Sequence, residues 1–253
     1  MLDQGQDQAA GLRRRMGRPA LNLMAFPLLE RDSHGSAWVG QVARTLHSLG
    51  SRALVVDASG GEVARALGVA RPARELMDLL TGRLPFDAVA QVTREGVHVI
   101  RADAGLDAFV AQGGVPQDLL RGFADLSHAF DVLLLAMPAG ELACLTSPAQ
   151  TVPVMVADAG PEGVKRAYAT IKQLSAEFGY SQFALALRGA GGQSEALAVH
   201  ARMAQAARTF LNAGVTLAGW IPAATVSGTD MQSALQRLVQ TLLDHASTPV
   251  LRH

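Results

Sequence analysis

Seven short apolar runs, separated by longer segments of helical periodicity, constrain the architecture of this chain more than any other feature. The runs are Leu21–Phe26, Ala53–Val56, Val97–Ile100, Val132–Leu135, Val152–Ala157, Phe183–Leu187 and Thr216–Ile221. Each is continuous rather than alternating, the pattern of a strand buried on both faces. Between them, Ser36–Leu49, Arg74–Leu80, Gln117–Ser127, Glu162–Phe178 and Glu195–Leu211 carry apolar residues at helical spacing. A last helix over about 230–245 sets Met231, Leu235, Leu238, Val239, Leu242 and Leu243 on one face. Its opposite face carries Gln232, Gln236, Gln240 and Asp244. Strands alternating with helices predict an α/β fold, a mostly parallel, doubly wound sheet with helices on both faces.

The chain has 253 residues, 49% of them apolar, enough for one core of this kind. Residues 1–18 are rich in Gln and Arg and read as an arm in front of a single domain, 19–253. The 22 basic residues balance 22 acidic ones, so charge gives no pointer to nucleic acid. Only Lys165 and Lys172 are lysines, and both fall past the middle of the chain. That excludes a G-x-x-x-x-G-K-[ST] phosphate loop in the N-terminal half. A single cysteine, Cys144, forms no internal disulfide and reads as a small packed side chain. With no apolar run of 18 residues, the sequence predicts no membrane-spanning helix. The chain reads as cytoplasmic.

Ligands in such folds bind outside the carboxyl ends of the strands. The first such junction reads Phe26-Pro27-Leu28-Leu29-Glu30-Arg31-Asp32-Ser33-His34-Gly35-Ser36. Glu30 and Asp32 would repel a polyphosphate. Gly35 and Ser36 open a helix whose N-terminus favours an anion, with Ser36 as the expected cap. Asp57 ends the second strand, where an acid can hold Mg²⁺. It can equally cap the turn into Gly60-Gly61, the reading favoured here. The histidines lack metal-ligand spacing. The last helix is poor in Lys and Arg on its polar face, which favours packing on the core over lying on a membrane. In the arm, Asp7 and Arg13–Arg15 sit at opposite ends of a short helix, as the helix dipole prefers. Such a segment orders on meeting a partner, or stays a basic tail.

Asp7-Gln8-Ala9-Ala10-Gly11-Leu12-Arg13 matches D-Q-A-x-x-L-R, and Ala167-Tyr168-Ala169-Thr170-Ile171-Lys172 is similar to A-Y-A-L-I-K. The Ala43–Asp57 stretch and Leu76–Asp87 fit the same pattern. On these motifs the chain resembles the FlhG/FleN branch of the MinD/ParA family, regulators of flagellar number and placement. The resemblance spans nearly the whole chain and implies a P-loop NTPase fold. It also implies that the arm, through Asp7, Gln8, Ala9, Leu12 and Arg13, binds the signal-recognition-type GTPase FlhF and stimulates its GTP hydrolysis.

The same resemblance marks the departures. The family's G-K-G-G-V-G-K-T loop falls on Leu29–Ser36, so its two lysines become Glu30 and Gly35. Its second-strand D-A-D becomes Asp57-Ala58-Ser59, its Walker B acid falls on Ala136, and its base-contacting Asn falls on Arg188. These losses predict a pseudo-ATPase that needs no cofactor. Mg-ATP would be held only if a vestigial site at Gly35, Ser36 and Asp57 still binds it. No catalytic or metal-ligating residue is expected. The expected partner is an FlhF-like GTPase, with other flagellar assembly proteins beside it and recruitment to the cell pole. Attachment to the membrane is not expected. Two alternatives stay open, a divergent active ATPase and a polar scaffold for a secretion or exopolysaccharide machine.

Overall fold

The computed structural model describes residues 21–29, 32–69, 74–103, 106, 109, 111, 113–115, 119, 123, 129–222 and 228–246. The arm, with Asp7, Gln8, Ala9, Leu12 and Arg13, lies outside the described residues. So does Glu30, and so does most of the helix expected over Gln117–Ser127, of which Leu119 and Phe123 are described and buried.

The strands are β1 (Asn22–Pro27), β2 (Ala53–Asp57), β3 (Gln91–Val92), β4 (His98–Arg101), β5 (Val132–Met137), β6 (Val154–Asp158), β7 (Gln182–Ala190) and β8 (Gly214–Pro222). The helices are α1 (Ser33–Ser48), α2 (Glu62–Ala66), α3 (Leu76–Leu80), α4 (Phe86–Val89), α5 (Ala139–Leu145), α6 (Pro161–Phe178), α7 (Gln193–Leu211) and α8 (Gly228–Ala246). Five strands pair in the order β1-β5-β2-β4-β3 and three in the order β6-β7-β8. Every pairing is parallel except β3 with β4. β1 lies beside β6, and among the described residues no ladder joins them.

One apolar layer spans that seam. Trp38, Val39, Val42 and Leu46 of α1 and Leu238, Val239 and Leu242 of α8 pack on Phe26, Val55, Leu134, Val154 and Ala186, which come from both groups of strands. Burying each large side chain is worth about 1.5–3 kcal/mol, so the shared layer holds the two groups as one body. Trp38 is fully buried, edge-on to Phe26 at 5.8 Å. The opposite face of the five strands is covered by Leu76, Val89, Leu106, Phe123 and Leu142, and that of β6–β8 by α6 and α7. Helices therefore lie on both faces of a mostly parallel sheet, as the sequence predicts.

α8 buries Ala234, Leu238, Val239 and Leu242 and leaves Gln232, Gln240 and Asp244 exposed. Its apolar face is spent on the core. No helix among the described residues is long and apolar enough to cross a membrane. Cys144 is exposed rather than packed, because α5 turns Ala139, Leu142 and Leu145 inward and leaves position 144 facing out.

Candidate functional site

The carboxyl ends of β1, β2, β5, β6 and β7 form one rim, and Gly35, Ser36, Asp57, Ala136 and Arg188 all lie at those ends or in the first turn that follows. The loop after β1 delivers Asp32, whose carboxylate Oδ1 accepts a hydrogen bond from the Gly35 backbone N–H at 2.9 Å. Asp32 is thus the N-cap of α1, and the helix begins at Ser33. This corrects the expectation of a Ser36 cap. Ser36 sits inside the first turn, 0% exposed, and its Oγ has no hydrogen-bond partner. The Asp32 carboxylate lies so close over Gly35 that a Cβ at position 35 would meet Oδ2 at 2.5 Å.

Asp57, at the end of β2, is 0% exposed. Its Oδ1 accepts from the Ser59 N–H at 2.9 Å and from the Ser59 hydroxyl at 2.5 Å, and its Oδ2 accepts from the Ala64 N–H at 2.8 Å. Ser59 Oγ in turn accepts from Val63 N–H at 3.3 Å. The N-cap of α2 is Gly61, in the left-handed region with φ 78°, and it offers no side-chain acceptor. Asp57 and Ser59 supply the missing acceptors from outside the helix. Burial pushes the Asp57 carboxyl above its ordinary range, and the hydrogen bonds from Ser59 and Ala64 act in the opposite sense. In register with Asp57 on the neighbouring strand is Ala136, fully buried, so β5 brings no carboxylate to the rim.

Across the seam, Arg188 on β7 binds Asp158 on β6 through Nε at 2.8 Å and Nη2 at 2.7 Å. The same Nη2 reaches Nδ1 of His34, in the first turn of α1, at 3.1 Å. Arg166 of α6 approaches the other Asp158 oxygen at 3.9 Å. These residues, with Asp32 and Leu29, line a cleft of about 30 Å³. Sequence reasoning put Arg188 at this rim but missed its partners, because nothing local links residues 154 positions apart. A second, larger groove of about 680 Å³ runs between α6 and α7, bordered by Val164, Lys165, Tyr168, Arg202 and Met203. Tyr168 is half-buried there, and Lys172, one turn further along α6, is exposed. Asp131, at the other end of the sheet, pairs with Arg52 at 2.7 Å between side chains and is remote from the rim.

The eight strands and their pairing order can be set beside solved structures. MinD of Aquifex aeolicus in complex with MinC matches with a TM-score of 0.61 and 14% identity, over 92% of this chain and 99% of that one. The cell division ATPase MinD of Pyrococcus furiosus matches with a TM-score of 0.61 and 16% identity, over 88% and 99%. A ParA family ATPase of Chlorobium tepidum matches with a TM-score of 0.57 and 16% identity, over 90% and 98%. The fold is that of the MinD/ParA ATPases. At the sequence level, no protein-family model matches the chain and no curated protein does.

That fold implies Mg-ATP at this rim, and the described residues do not fit it. A phosphate would meet the Asp32 carboxylate at the start of α1 rather than free N–H donors. Asp57 is committed to α2, and position 136 carries a methyl group. Both lysines of the chain lie on α6, and neither borders the cleft. A cleft of about 30 Å³ has room for a water, whereas small-molecule sites run to roughly 300–1,000 Å³.

Proposed function

We propose that this chain is a nucleotide-independent regulator of the FlhG type, a pseudo-ATPase that presents its N-terminal arm to an FlhF-like signal-recognition-type GTPase. The observation that carries the reading is the stretch Asp7-Gln8-Ala9-Ala10-Gly11-Leu12-Arg13. Gln8, Leu12 and Arg13 are its contacts, with Asp7 and Ala9 beside them in the motif. The MinD/ParA-type fold supports it, as does a rim whose acids Asp32, Asp57 and Asp158 are each bonded within the chain. In this reading the protein adjusts flagellar assembly from the cytoplasm, at the cell pole, and the α6–α7 face is free for a further assembly protein.

The test is GTP hydrolysis by the cognate GTPase, with the full chain or a peptide of residues 1–18 added. The rate rises with either, and Gln8→Ala or Leu12→Ala abolishes the rise. No stimulation by peptide or full chain sinks the reading. The fold itself favours a second reading, a divergent ATPase. Calorimetric titration with Mg-ATP separates the two, since micromolar binding supports the second alone.

A further inference from the structure

We infer that Asp32 is the resident anion of the rim. Its carboxylate takes the place at the start of α1 that a ligand phosphate would otherwise take, and the His34–Arg188–Asp158 contacts close the cleft behind it. The first turn of a helix concentrates unpaired N–H donors and the positive end of its dipole, so it attracts an anion. Here that anion belongs to the chain. Asp32 Oδ1 holds the Gly35 N–H at 2.9 Å, and the Asp32 carbonyl accepts from Ser36 N–H at 2.9 Å. The arrangement also accounts for the residue at position 35. A Cβ there would meet Asp32 Oδ2 at 2.5 Å, its Cγ at 3.0 Å and Leu28 Cδ2 at 3.0 Å. A side chain at 35 would therefore have to displace the end of the Asp32 side chain from its present position. The absence of a side chain at 35 thus leaves room for the carboxylate in the position it holds over the first turn.

The second part of the arrangement crosses the seam between β1 and β6. His34 comes from α1, Arg188 from β7 and Asp158 from β6, and Arg166 of α6 stands behind them. A ligand entering between the two groups of strands would have to part this chain of contacts. The cleft is thus lined by charges of the protein that are paired with one another. This goes beyond the proposed function, since it involves no residue of the arm. Stimulation of a GTPase by residues 7–13 succeeds or fails separately.

The experiment uses the full chain, with inorganic pyrophosphate and Mg-ATP as probes in thermal unfolding and calorimetry. The wild type shows no saturable response to either. Asp32→Gly and Asp32→Ala both vacate the anion position. In both variants pyrophosphate raises the unfolding temperature saturably, by about 2–4 °C. Asp32→Asn, which keeps a capping oxygen and removes the charge, shows a smaller rise and serves should the other two fail to fold. Binding of pyrophosphate or Mg-ATP by the wild type overturns the inference. So does a set of folded variants none of which gains a response, because Asp32 is then an ordinary cap.

Discussion

Asp57→Ala separates the two chemical roles open to the acid at the end of β2. As a metal ligand, Asp57 would matter to function and little to stability. As the remote cap of α2, it holds three donors in a site closed to water: the Ser59 N–H, the Ser59 hydroxyl and the Ala64 N–H. Alanine leaves them without that acceptor. A buried unsatisfied polar group costs about 1–3 kcal/mol, and the hydroxyl can turn to another acceptor. Removing the carboxylate also relieves the penalty of burying its charge, which shows as its raised pKa. The net loss is about 3–4 kcal/mol. For a domain of this size that lowers the unfolding temperature by roughly 6–16 °C. Asp57→Asn keeps one acceptor oxygen and loses about half as much. The pH dependence follows from the same burial. The folded state binds the Asp57 proton more tightly than the unfolded state does. This contribution therefore favours folding at acid pH and declines as pH rises from the ordinary carboxylate value through the folded one. Both variants lack that slope. Unfolding by urea and by heat, with and without Mg²⁺, reads all of this. An alanine variant within about 1 kcal/mol of wild type, or a wild type that Mg²⁺ stabilises and the variant does not, refutes the capping role.

Two further substitutions test the amino-terminal side of the sheet. Burial lowers the pKa of His98, which is half-buried and edge-on to Phe130 at 5.0 Å. The unfolded chain takes up this proton first, so stability declines as pH falls through the ordinary histidine value; His98→Phe flattens that segment of a stability–pH curve, and an unchanged curve counts against the assignment. Gly96 has φ +91°, and a Cβ there would meet the His47 ring at 2.7 Å. Gly96→Ala is expected to cost about 1–3 kcal/mol in denaturant unfolding, and a neutral result shows that the β3–β4 turn and His47 relax freely.

The strand interiors were legible because burial on both faces demands continuous apolar sequence, and seven of the eight strands among the described residues announce themselves that way. Their limits were not. β7 and β8 extend past the apolar runs through Gln182, Arg188 and Gly214, which pair in the ladder without being apolar. β6 begins at Val154 because Pro153 has no N–H for the ladder, although its carbonyl accepts from Ala184. β3 is two residues long and gives no periodicity. At the rim, Asp32, Ser33 and Ser36 are all competent caps within five positions, and only the chain's path selects Asp32. Arg52 with Asp131, 79 residues apart, and His34 with Arg188 have no local signature at all. Sequence could place such residues at an end of the sheet but could not pair them.

The fold and the chemistry of its rim draw on different residues. Packing rests on strand interiors and helix faces, whereas phosphate and metal chemistry rests on side chains just past the strand ends. Ala136 shows how closely the rim positions are linked. It is in register with Asp57 on one side and with Phe26 on the other, and it is fully buried. An acid there would stand one strand spacing, about 4.8 Å, from Asp57. Two buried carboxylates at that separation oppose each other's ionisation unless a cation lies between them. Asp57 already ionises against the cost of burial, and its oxygens are taken by Ser59 and Ala64, leaving little to offer a metal. Once Asp57 serves as a cap, a second acid at 136 becomes a liability, and a methyl group is the side chain that burial favours. At α1, likewise, the carboxylate at 32 lies against the space that a side chain at 35 would enter. An acid introduced at 136 alone is therefore expected to destabilise the chain, read in denaturant unfolding of Ala136→Asp.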